Sequence, residues 1–166
     1  MQNAQTILDA LQHYVDQIEA LLTKVVAHDD CDALLDTRLA ADVFPAGQQM
    51  AIALNFAARA VAPVVGCDLP HFPDHPTPKA LHQLAADVRA ILTGIVAEDV
   101  SDTEVVHRAG FAEVTQNSAD FILRYALPNM IFHFTMAYAA LRAAGLGIGK
   151  SDFDGLHSYP KGFSFS

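Results

Sequence analysis

Charge is what this sequence has least of. Only 17% of its 166 residues are Asp, Glu, Lys or Arg, against 52% hydrophobic. That balance excludes a disordered chain. It also predicts more apolar surface than one copy can hide, so a two-fold homodimer is expected. The ten basic residues are scattered singly in a chain of net charge -9. With no basic patch to neutralise phosphates, neither nucleic acid nor an anionic membrane is an expected partner. No apolar run is long enough to cross a bilayer, which takes about 18 residues or more. The segment Met1 to Gln5 has no positive stretch leading into an apolar one, so no export signal is expected. Cys31 and Cys67 lack C-x-x-C spacing, and two reduced thiols in a cytoplasmic protein are expected. There is no internal repeat, P-loop, dinucleotide fingerprint, nucleophile elbow or Ser-His-Asp order. The acidic cluster Asp29-Asp30-Cys31-Asp32 lacks the regular spacing of a calcium loop and reads as helix capping.

What the sequence does contain is helical periodicity. Leu8, Leu11, Val15, Ile18, Leu22 and Val25 recur at spacings of three and four, predicting a first helix from Ala4 to His28. A short helical turn is expected at Asp32 to Leu35. A second helix opens at Phe44-Pro45, where proline suits the first turn, and stops at Gly66. Prolines at 70, 73, 76 and 78 then forbid helix across most of Cys67 to Pro78. About eleven extended residues reach about 35 Å, as far as a helix of about twenty residues. The segment can therefore carry the chain from one end of a bundle to the other.

A third helix starts with Thr77 as N-cap and Pro78 at its first position, and runs to about Ala97. Val105-Val106 and Phe111 to Val114 are candidates for a short β-ribbon. The fourth helix begins at Asn117 or Ser118 and runs to about Ala144, with Gly145 as its stop. Pro128 lies inside it and predicts a kink. The expected fold is all-α, an up-down-down-up four-helix bundle with a long Pro-rich crossover between helices two and three. Residues 1–154 form the bundle domain and residues 155–166 a C-terminal tail.

Several blocks resemble the DinB/YfiT-like helix-bundle superfamily, in a branch described only as a domain of unknown function. They are Arg38 to Pro45 before helix two, and Phe121 to Asn129 with Phe132-His133, Tyr138 and Leu141-Arg142 on helix four. The last is Gly147 to Phe153 after it. Metal-binding members of that superfamily hold a divalent ion, often nickel or zinc, with one His from helix two and an H-x3-H pair on helix four. The resemblance places His133 on the second of that pair and Asn129 on the first. Helix two offers no His, only Gln48 and Gln49 near its start, with Ile52 or Ala53 near the expected ligand position.

The candidate metal residues are therefore His133, Asn129, Gln48 and Gln49, a set in which two of three ancestral ligands are lost. Neutral amide oxygens are poor ligands for zinc or nickel. His133 has two other readings: a buried imidazole bonded to Asn129 or a Gln, or a polar group lining a pocket with Asn129 and Tyr138. Asn129 also reads as a partner for backbone groups freed by Pro128. His71 and His75 are expected in a solvated loop, and His13, His28, His82, His107 and His157 at the surface. Lys150, Asp152 and Phe153 are expected to pin the tail. Two functions stay open. One is a non-catalytic bundle without a cofactor that binds a small molecule or a partner near His133. The other is a divalent-metal-dependent, thiol-transferase-like enzyme with an altered ligand set.

Overall fold

The computed structural model describes residues 3–160 and 162–163. The ends of the expected domain and tail at Met1, Gln2, Lys161 and residues 164–166 lie outside them. The fold is mostly helical, with one two-stranded ribbon. Helix α1 spans Ala4–Val26 and buries all six of its predicted apolar positions. A single short helix, α2 (Cys31–Asp36), turns Leu34 and Leu35 inward. Helix α3 (Ala46–Val65) starts directly after Pro45 and ends where Gly66 takes φ 74°, a left-handed conformation that favours glycine.

The crossover that follows contains no helix or strand. Helix α4 (Pro78–Gly94) is capped as expected, with Thr77 Oγ1 accepting from Ala80 N–H. It stops before the expected Ala97. Gly94 and the β-branched pair Ile95-Val96 are weak helix formers, and Ile95 is already extended. Strands β1 (Glu104–Ala109) and β2 (Ala112–Asn117) pair antiparallel, from Glu104 opposite Asn117 to Ala109 opposite Ala112.

Residues 118–143 are one continuous helical path with a change of pitch inside it. Asn117 Oδ1 accepts from Asp120 N–H and opens α5 (Ser118–Asp120). The next six residues, Phe121–Ala126, form a wide π-type turn, in which Leu127 N–H reaches back five residues to Ile122 C=O. Helix α6 (Leu127–Ala143) follows with Pro128 in its first turn. The expected disturbance at Pro128 thus takes the form of a widened turn just before it. Proline cannot donate to the carbonyl four residues back and its ring crowds that group. The wider turn moves the bonding pattern one residue on.

The core gathers along α3, which packs on both α6 and α4, while α1 packs on α4. The buried residues of α3 include Ala46, Ala51, Ala53, Ala57, Ala58 and Ala60, small enough for neighbouring backbones to approach closely. Helix α7 (Lys150–Asp154) docks against α1. Its Asp152 accepts from Gly149 N–H at 2.7 Å and pairs with Lys24 at 2.5 Å. Phe153 stacks on the fully buried Phe134 with centroids 4.6 Å apart. Truncating Phe134 to alanine removes a ring that both α6 and α7 use. Phe134→Ala is expected to cost about 3–5 kcal/mol in urea unfolding; a loss under about 1 kcal/mol would show that this site collapses without harm.

Candidate functional site

The sequence pairs His133 with helix two, and the structure selects one residue of that helix. Gln49, near the start of α3, is 3% exposed. Its Oε1 lies 2.6 Å from Nδ1 of His133 on α6. The Nε2 of the same carboxamide lies 3.4 Å from the Phe44 carbonyl, which sets which end of the amide faces the imidazole. A carbonyl oxygen accepts, so Nδ1 carries a proton, and in the neutral ring the Nε2 lone pair has no partner among the described residues.

The other predicted site residues go elsewhere. Asn129 shares the His133 face of the helix, one turn back. Its Nδ2–H is committed to the Tyr125 carbonyl at 2.7 Å, so it serves the backbone of the widened turn. The Gln48 side chain makes no hydrogen bond among the described residues and sits about 100° around the helix from Gln49. Tyr138, five residues beyond His133, turns toward the tail. Its hydroxyl accepts from Arg142 Nη1 at 2.8 Å and its ring meets Phe153 edge-on at 5.7 Å.

Aromatic rings frame the imidazole. Phe56 lies parallel to it, with centroids 5.8 Å apart and planes 13° apart. Phe132 presents an edge at 5.1 Å and is itself 56% exposed, so the site opens at the surface. Phe56 stands seven residues after Gln49, a spacing that puts both on one face of α3. Beyond Phe56 the rings continue through Tyr125 to His107 and Phe121. The expectation of a surface His107 is corrected here. The ring is half-buried, 4.2 Å from Tyr125, with Nε2 2.8 Å from Gln116 Oε1. His13 is also drawn inward, its Nε2 2.8 Å from the Asp154 carbonyl oxygen. His107 is one of the alternate residues by which β1 faces the helices, and His13 is covered by the short docking helix α7.

A divalent ion is what the DinB-like resemblance implies, and the residues present do not fit one. His133 offers one imidazole nitrogen. The Gln49 oxygen is already an acceptor for its Nδ1–H, and Asn129 offers only a neutral amide oxygen, a poor ligand for zinc or nickel. No group of three His, Cys, Asp or Glu side chains converges among the described residues. Zinc and nickel sites draw on three or more imidazole, thiolate or carboxylate donors.

Burial lowers the His133 pKa below the ordinary histidine value. Desolvation disfavours the charged ring, and no charged neighbour opposes it. The sign for stability follows. The unfolded chain, with a value of about 6.5, takes up the proton before the folded one does. The contribution of His133 is therefore full above about pH 6.5 and is lost as pH falls through the lower folded value. An NMR titration of the imidazole is expected to show a depressed pKa and a neutral ring protonated on Nδ1. A ring protonated on Nε2, or a pKa above the ordinary value, would contradict the geometry described.

Comparison with known proteins agrees with the fold. A crystal structure of a DinB family member protein from Shewanella denitrificans superposes with a TM-score of 0.80 at 28% identity, covering 92% of each chain. No curated protein matches this chain. The model of the family described as Domain of unknown function (DUF1993) matches residues 3–154. The chain belongs to that family, a domain of unknown function with a DinB-like fold.

Proposed function

We propose that this protein is a non-catalytic DinB-like bundle that holds no resident metal and binds a small molecule or a partner at the surface around His133. The hydrogen bond from His133 Nδ1 to Gln49 Oε1 at 2.6 Å carries the reading. It orients the ring and places the proton of its neutral form on Nδ1, and burial favours that form, so that Nε2 accepts a hydrogen bond from a ligand between the apolar walls of Phe56 and Phe132. An amphipathic molecule with one donor suits that surface. We read the helices as an up-down-down-up path, for which the extended crossover of residues 67–77 gives the reach. We also read the protein as a cytoplasmic homodimer. Support comes from two unpaired thiols and from exposed large apolar side chains, among them Phe111, Leu123 and Phe132.

The metal question separates this reading from a metal-dependent thiol-transferase-like enzyme. Protein purified in buffer containing zinc and nickel is expected to carry well under one ion per chain, with no change on His133→Ala. One tightly held ion per chain, lost in His133→Ala, would overturn the reading in favour of the enzyme. Size-exclusion chromatography with light scattering is expected to give twice the 17.9 kDa chain mass. A monomer at micromolar concentration would remove the dimer.

A further inference from the structure

We propose that a second cleft, between the end of α3, the start of the crossover and the ribbon, binds a small organic monoanion: a carboxylate carried on an apolar body. The cleft has a volume of about 570 Å³ and does not include His133. That size falls within the usual range for small-molecule sites. Its charged lining is Arg59 from α3, Arg108 from β1 and Asp68 from the crossover, and its apolar walls include Leu69 and Phe121.

The two guanidinium groups carry the argument. Arg89 is neutralised by bonds to both Asp16 and Glu19. Neither Arg59 nor Arg108 forms an ion pair among the described residues. Arg108 stands opposite Glu113 in the ladder and still forms no pair. Arg59 lies over the Phe56 ring, with Cζ 4.8 Å from its centroid, which restrains the head group without neutralising it.

Two arginines and one aspartate leave one net positive charge in the cleft, which matches a singly charged anion. Guanidinium binds carboxylate through paired hydrogen bonds. His107 also lines the cleft, its ring held in place by the bond from Nε2 to Gln116 Oε1 at 2.8 Å.

The test is an amide NMR titration of the full chain with hexanoate, hexanamide and hexyl phosphate. Hexanoate is expected to shift the amides of Cys67 to Leu69 and of His107 and Arg108 saturably. Hexanamide, which keeps the apolar body and loses the charge, is expected to bind about tenfold more weakly or worse. Arg108→Gln is expected to weaken hexanoate by about tenfold and leave hexanamide unchanged. Arg59→Gln should do the same, with Arg59→Lys restoring part of the loss if the Phe56 contact tolerates the exchange. Equal affinity for hexanoate and hexanamide would reduce the cleft to an apolar surface. Tighter binding of the phosphate would assign it to dianions. No saturable shift, or an unchanged hexanoate affinity in Arg108→Gln, would overturn the proposal.

Discussion

The close seating of α3 on α6 is the constraint from which the site follows. The buried face of α3 is built largely from alanine, including Ala53, Ala57 and Ala60, all fully buried. Small side chains hold the two backbones near each other, and a carboxamide on one helix then reaches an imidazole on the other at 2.6 Å. Phe56 extends the same contact, two turns further along α3, and covers the imidazole from one side. Larger residues along this face would separate the helices and break both contacts together. Interiors packed at crystal-like density respond to added volume by shifting, not by compressing.

The widened turn before α6 ties that contact to the ribbon. Tyr125 sits inside the turn and has three uses. Its carbonyl accepts from Asn129, its hydroxyl donates to the Arg108 carbonyl at 3.0 Å, and its ring meets both Phe56 and His107. Through Tyr125 the ribbon is fastened to the helix that carries His133, so the two candidate binding surfaces share a wall. π-type turns are rare and often occur at functional sites. Here the cause lies in the sequence, because Pro128 removes one donor and Asn129 supplies another.

Much of the fold was legible because helix periodicity, proline and glycine act locally. Thr77-Pro78 marks the start of α4, Gly66 marks the end of α3, and both hold. The ribbon was harder, since a six-residue strand with one deeply buried position, Val105, gives little periodic signal. The widened turn was legible only as a disturbance at Pro128, because one sequence fits a kink or a change of pitch. At the site, His133 and the Gln pair of helix two were legible, but which Gln faces the ring was not. That choice depends on the rotation of α3 about its own axis, which alanine-rich sequence does not specify. No local pattern marks Arg59 or Arg108, and His107 reads from the sequence as a surface residue. They come together only when the crossover and the ribbon fold over the end of α3.

The state of His133 also bears on the metal ligation that the DinB-like resemblance implies. In metal sites a ligating imidazole commonly gives its second N–H to an oxygen, which fixes the tautomer and aims the other nitrogen at the ion. Gln49 performs that outer task in this chain, on the helix from which the resemblance leads one to expect a ligand. The tautomer suited to a ligand is therefore present, while converging donors that make a metal site are absent among the described residues. One lone pair facing a half-open, ring-lined surface is enough to accept a hydrogen bond. Holding a divalent ion takes at least two more donors aimed at the same point. Two neutral amide oxygens, one of them already accepting from the imidazole, do not supply them.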